Sequence, residues 1–281
     1  MLIYLFVAVV VIVTLYPLIY VFSMSISDPI HAARGEVYLL PKGFSLVAYQ
    51  SILSNSKIIT YYYNTIWYTV VGTILGIAVT ALAAYPLSRP NFRNRKYFML
   101  LVTVAMFFSG GMIPTYTVVA RYLDLYNSRW AIILPALTTP WYIIVARSFF
   151  SSLPEDVIES ARIDGASEYR ILLQIVMPLS RPILGVLALY YGVSYWNSYF
   201  PSLLYLGEEK LQPLALYVRR MVIQASMENM GAVDGIDTAF LLSQLQIKYA
   251  VIVVAVLPML LLYPFLSKNL EKGLMVGAVK G

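Results

Sequence analysis

Six stretches of this 281-residue chain are almost free of charge: residues 2–22, 66–87, 98–119, 130–149, 182–206 and 249–266 contain one ionised side chain between them, Arg147. Each is close to the roughly 20 apolar residues that cross a bilayer as a helix. In lipid the backbone polar groups must pair within the segment, which leaves helices or closed barrels as the only spanning structures. Charged residues make up 12% of the chain, against about 25% in a soluble domain. So little charge cannot cover a water-facing surface of this size. The expectation is an all-α membrane protein with six transmembrane helices in a single domain over 1–281. The first helix resembles a signal-peptide core, but it is too long and no small-residue cleavage site follows, so it reads as a retained span. Almost nothing precedes it, and a basic leader is expected to be missing from this sequence.

With no cysteine and one histidine, His31, the chain offers no thiol catalysis, structural zinc or disulfide. No Walker A pattern occurs. The net charge of +6 reads as orientation and lipid contact, with no nucleic acid implied. The turn 88–96 holds Arg89, Arg93, Arg95 and Lys96 without an acid, which marks it as cytoplasmic. Alternation then puts both termini and residues 151–170 inside, and the loops 25–64 and 207–243 outside. Lys268, Lys272 and Lys280 in the tail agree. Residues 227–231 and 234–237 give the second outer loop the look of an ordered excursion; Asp234 and Asp237 lack the spacing of a calcium loop.

Two adjacent spans carry breaks: Ser109-Gly110-Gly111 with Pro114, then Pro135 and Pro140 around Thr138 and Thr139. Proline removes a donor and kinks a helix. The freed carbonyls need partners, from packed helices or a wet cavity. Clustered in neighbouring spans, the breaks favour a pathway lining over simple packing kinks.

Residues 151–170 interrupt the apolar pattern. Ser152 and Glu155 have capping-box spacing, Pro154 suits a first helical turn, and Glu155 and Asp156 suit the positive end of a helix dipole. Val157, Ile158 and Ala161 give this helix an apolar side. Gly165 is placed to end it, and a second helix starts near Ser167 and runs toward Pro178. Five acids, Glu155, Asp156, Glu159, Asp164 and Glu168, face Arg162 and Arg170. An acidic element is poorly suited to an anionic lipid surface, so docking to a cytoplasmic protein is favoured.

Glu159-Ser160-Ala161, then Asp164-Gly165-Ala166, then Ile175-Val176-Met177-Pro178 resembles the EAA loop of ABC importer permeases, with Ser160 replacing the first alanine of the motif. Gly110-Gly111-Met112-Ile113-Pro114-Thr115-Tyr116, Trp196-Asn197-Ser198-Tyr199-Phe200 and the tail Gly277-Ala278-Val279-Lys280-Gly281 are similar to the carbohydrate branch of these permeases, closest to its oligosaccharide and polysaccharide-fragment subunits. The resemblance covers most of the chain from Tyr61 onward. It implies a type I importer fold with a permease core over 61–270, a first helix and outer loop over 1–60, and a coupling loop over 151–178. Glu159, Ser160, Ala161, Asp164, Gly165 and Ala166 would couple to the ATPase. Implied partners are a second homologous permease, two ATPase subunits that carry the ATP and magnesium, an extracytoplasmic solute-binding protein reaching loop 207–243, and the carbohydrate itself. The membrane would be the bacterial cytoplasmic one. No cofactor and no catalysis are expected on this chain.

Tyr190, Ser194, Tyr195, Trp196 and Asn197 combine aromatic faces for sugar C–H surfaces with polar groups for hydroxyls, and are the expected substrate path. Their alternative is an outer aromatic belt, to which Tyr199 and Tyr205 are assigned. A secondary transporter would carry buried charges in its spans. A membrane enzyme would carry a catalytic cluster at membrane depth. The centres of these spans hold neither.

Overall fold

The computed structural model describes residues 1–230 and 246–261, and the regular secondary structure among them is helical, with one isolated β-bridge, Ser27 to Phe44. The helices that carry the argument are α1 (Leu2–Ile26), α2 (Ser56–Ser88), α3 (Arg95–Phe107), α4 (Met112–Tyr122), α5 (Trp130–Ala136), α6 (Pro140–Ser151), α7 (Glu155–Ile163), α8 (Glu168–Leu179), α9 (Arg181–Trp196), α10 (Tyr199–Tyr205), α11 (Leu214–Met230) and α12 (Gln246–Leu261).

Among the described residues, two helices, α1 and α2, are each long and apolar enough to cross a membrane unbroken. The protein is membrane-associated: the first 19 residues of α1 and its lead-in are exposed on every side, an apolar surface that water would not tolerate. Three further segments pass only as bent pairs, α3 with α4 at 111°, α5 with α6 at 52°, and α8 with α9 at 85°. The expectation of six plain helices is therefore too simple, and the last expected span, 249–266, is described only as far as Leu261. The bends fall where the sequence breaks. Gly111, at φ +84°, opens α4 after Ser109-Gly110, and α6 begins at Pro140, whose missing N–H costs nothing at a first helical position. The expected fifth span, 182–206, ends as a helix at Trp196, and a separate helix, α10, follows. Conversely α2 starts ten residues before the expected Ile66, inside the loop expected outside.

The chain divides into two compact units, Met1–Asn64 with Gln212–Leu261, and Thr65–Leu211. The described residues 212–230 and 246–261 fall in the same unit as the N-terminal segment. The first unit is organised by Gln246, 1% exposed, whose amide donates to the carbonyls of Ser25, Ser27 and Ser45 at 3.3, 2.7 and 3.2 Å. A buried side-chain amide must be paired, and here it ties the end of α1 to the following loop. Ala48, Ile52, Ile58, Tyr61, Leu214, Ala250 and Val251 form the apolar core beside it. His31 holds Glu36 at 2.7 Å in the same loop.

The second unit has one continuous core running from Tyr68 to Leu206, built on α2, α6, α8 and α9. Two glycines of α2 set its spacing. A Cβ on Gly72 would stand 2.5 Å from the Tyr195 ring, and one on Gly76 would stand 2.8 Å from the Tyr191 ring. The rings lie flat on bare backbone, and no larger residue fits. Both candidate sites lie in this unit.

Candidate functional sites: the elbow and the aromatic helix

The elbow is shaped mainly by its backbone. α7 is capped at its start by Pro154, with Glu155 and Asp156 in the first turn. The expected capping box does not form. Ser152 instead ends α6, donating its hydroxyl to the Phe149 carbonyl at 2.7 Å. At the other end Gly165 takes φ +78°, its N–H donates to the Arg162 carbonyl at 3.0 Å, and the Ala166 N–H donates to the Ala161 carbonyl at 3.0 Å. These two bonds are a Schellman motif, with Gly165 in the left-handed position that only glycine adopts freely. Ser167 then caps α8 by accepting from the Arg170 N–H, so the chain reverses with little slack.

Ile158 is 1% exposed and anchors α7 to the core, with Leu153, Ala161 and Ala166 half-buried around it. Val157, expected on that apolar side, is 44% exposed, because it projects one residue off the buried stripe. Glu159, Ser160, Asp164 and Gly165 are exposed. The elbow therefore presents carboxylates beside exposed Val157 and Ile163 on one surface and hides Ile158 on the other.

Polar contacts fasten the ends of α2 and α6 to each other and the elbow to α2. Arg89, buried, donates to the Ser88 hydroxyl at 2.9 Å and to the Phe150 carbonyl, while Arg147 donates to the Leu87 carbonyl at 3.2 Å. Each arginine satisfies a terminal carbonyl of the other's helix, where the dipole is negative. Burial lowers the Arg89 pKa from its ordinary value, opposed by nearby Tyr85 and acids. Glu168 accepts from Arg162 Nε at 2.9 Å and from the Tyr85 hydroxyl at 2.5 Å. Burial alone would raise its pKa, but those two hydrogen bonds and the charges of Arg162 and Arg89 outweigh it and hold the carboxyl below its ordinary value.

The aromatic helix splits its expected residues between two environments. Tyr195 and Trp196 are buried, at 2% and 8% exposure. Tyr195 donates to the Ile133 carbonyl at 3.2 Å, and Tyr191, outside the expected set, donates to the Leu137 carbonyl at 3.0 Å and pairs with Thr80 at 2.7 Å. The Leu137 carbonyl sits in the break between α5 and α6, and the Ile133 carbonyl sits just before the proline-containing 3₁₀ turn Leu134–Ala136 that ends α5, so each tyrosine supplies a donor where the regular helix ladder is interrupted. Tyr190, Ser194 and Asn197 are exposed and follow one another at helical spacing on one face. Tyr190 stacks on Tyr142 at 5.7 Å and 9°, and meets Trp141 edge-on at 5.8 Å. Toward the end of α9, a 260 Å³ cavity is lined by Ser194, Tyr195, Asn197 and Ser198 among others. The Ser198 hydroxyl is buried there without a protein partner. Trp141, Tyr142 and Ser198 join this face without having been expected there; proline ahead of two aromatics was the available signal for the first pair.

The long apolar and bent helices define a membrane-associated all-α protein. The chain belongs to the family of binding-protein-dependent transport system inner membrane components, which matches residues 72–276. It therefore has the all-α ABC importer permease fold and is one component of a multi-subunit transport system. It is 38% identical over 269 residues to Protein LplC of Bacillus subtilis (strain 168), covering 96% of this chain and 90% of that protein. It is also 38% identical over 286 residues to the polygalacturonan/rhamnogalacturonan transport system permease protein YtcP of the same organism, covering 100% and 98%. A chain of a bacterial ABC transporter involved in the import of the acidic polysaccharide alginate superimposes with a TM-score of 0.85 at 32% identity, covering 94% of this chain and 93% of that one.

Proposed function

We propose that this chain pairs with a second, related permease to form an oligosaccharide pathway across a bacterial cytoplasmic membrane. It is a permease subunit of a carbohydrate-importing ABC transporter, and what supports the substrate class is the likeness to polygalacturonan/rhamnogalacturonan and alginate importers. The whole of 1–281 acts as one permease domain with six membrane passages, three of them bent, both termini and the elbow on the cytoplasmic side. ATP and magnesium belong to two ATPase subunits, and an extracytoplasmic binding protein delivers substrate. The loop 207–243 is the surface for that delivery; of it, residues 231–243 lie outside the described residues.

In this reading α7 is the coupling helix. The supporting observation is its geometry: a nine-residue helix closed by a Schellman turn, anchored by Ile158, with Glu159, Ser160, Asp164 and Gly165 turned outward. A helix so held can transmit a push from a partner without unwinding. Ala161 and Ala166 give it close approach to the core. Glu159 supplies a charge-assisted contact to the ATPase.

The path follows the exposed face of α9. Tyr190 with Tyr142 and Trp141 offers a flat aromatic surface for a sugar ring, and Ser194, Asn197 and Ser198 offer hydroxyl partners. Tyr195 and Trp196 support that wall from behind. The decisive experiment is co-purification of the ATPase with Glu159→Lys, together with uptake by Tyr190→Ala. The first variant is expected to release the ATPase subunits, and the second to cut uptake several-fold with the complex intact. A Glu159→Lys transporter that assembles and imports normally would sink the coupling role.

A further inference from the structure

Apart from its backbone turn and a small apolar footing, the elbow meets the inner end of α2 at Tyr85, through the Glu168 carboxylate and the Arg162 guanidinium that the carboxylate holds beside it. Glu168 is the acid, among the five in residues 151–170, whose oxygens bond two other elements, Arg162 in the last turn of α7 and Tyr85 near the inner end of α2. The Tyr85 ring lies under Arg89, 5.4 Å from its centroid, and Arg89 reaches the Phe150 carbonyl at the end of α6. We propose that Glu168 is a positioning residue that makes α7 and the inner end of α2 move as one lever. This rests on the coupling role of α7.

The case comes from what surrounds the relay. Apolar contacts through Ile158, Ala161 and Leu153 hold α7 against the core but are non-directional. Beside them lies a hollow of 560 Å³, lined by Leu82, Tyr85, Pro86, Phe92, Tyr169 and Leu172 among others, where a packed wall would otherwise brace the loop. Past the elbow, α8 contains a π-helical stretch, Leu172–Val176, and bends 85° into α9. Wide turns of this kind are compliant and frequent at functional positions. A push on α7 could therefore be absorbed by tilting into the hollow or by flexing α8. The Arg162–Glu168–Tyr85 relay spans the edge of that hollow and redirects the push into α2. The Glu168 side chain is 56% exposed and that of Arg162 31%, so the pair adds little to stability. A link this weak can open and close during a transport cycle.

The absence of cysteine permits a direct test in the full transporter, with its partner permease, ATPases and binding protein, in nanodiscs. Spin labels at Ile163→Cys and Asn94→Cys report the distance between α7 and the basic turn after α2. With the relay intact the distance distribution should be narrow. Tyr85→Phe and Glu168→Ala should broaden it and lower the stimulation of ATP hydrolysis by the binding protein about fivefold, with ATPase co-purification unchanged. The exchanged pair Arg162→Glu with Glu168→Arg should restore both, because an arginine at 168 can donate to the Tyr85 oxygen. If Glu168→Ala fails to assemble, Tyr85→Phe, which removes a single oxygen, decides. Unchanged distances and stimulation in Tyr85→Phe would overturn the relay. Retention of the ATPase by Glu159→Lys would instead overturn the coupling reading beneath it.

Discussion

The elbow and the aromatic helix α9 both depend on glycine, for opposite reasons. At the elbow Gly165 is needed for its backbone angle, φ +78°, and a Cβ there would meet nothing within 4 Å. Opposite α9, Gly72 and Gly76 have ordinary helical backbones and are needed for space, because tyrosine rings occupy the place of their side chains. The elbow is thus held by local conformation and a few surface bonds. The aromatic helix is held by contacts from distant parts of the chain. On the proposed function, a lever that must move and a wall that must not would be built in these two ways.

The largest effect should come from Gly72→Ala. Its Cβ would fall 2.5 Å from the Tyr195 ring, which is already committed to the Ile133 carbonyl and cannot swing away. Overpacking of this kind costs about 1–3 kcal/mol or more, read as a drop in the thermal midpoint of the purified transporter. Gly110→Ala, where no atom lies within 4 Å, is the control and should change little. Equal midpoints for the two would break the comparison. Next is Tyr191→Phe, which leaves the Leu137 carbonyl and the Thr80 hydroxyl unpaired. A buried polar group without a partner costs about 1–3 kcal/mol, again visible in the midpoint.

The elbow was legible in the sequence because its determinants are local. Pro154, Gly165 and Ser167 each act on the backbone within a turn of themselves, and each sits at a helix boundary. The misreadings there were competitions between neighbours: Ser152 serves the helix behind it, and Val157 sits beside the buried stripe. The aromatic helix was legible only in composition. The partners of Tyr195 and Tyr191 lie 62 and 54 residues away, so no local pattern separates these buried, bonded tyrosines from Tyr190, which stays exposed. Gly and Pro marked where the spans break, but not how far they bend, 111° between α3 and α4 and 85° between α8 and α9.

A smaller effect is expected at Gly165. Alanine can take its positive φ only with strain of about 1 kcal/mol, with no clash added. Asparagine, which tolerates that region better, should recover part of the loss. The melting order wild type, Gly165→Asn, Gly165→Ala would sharpen the contrast with Gly72. A Gly165→Ala variant as stable as wild type would remove it.

The smallest effect is pH-dependent and belongs to Glu168. Its carboxyl is held below the ordinary value of 4.5 by the Arg162 and Tyr85 hydrogen bonds and the charges of Arg162 and Arg89, against the opposing push of burial. A carboxyl whose folded pKa is depressed stabilises the folded state above its unfolded value, and that contribution is lost as pH falls through the folded value. Wild type should therefore melt slightly above Glu168→Gln at pH 7, and the gap should close as pH drops below about 4.5, toward the folded pKa. Solvent screening of the half-exposed pair keeps the gap small. The glutamine stays neutral throughout and mimics the protonated acid. A gap that persists unchanged to pH 3 would mean Glu168 works by shape alone, as the aromatic helix does, and the elbow would lose its electrostatic distinction.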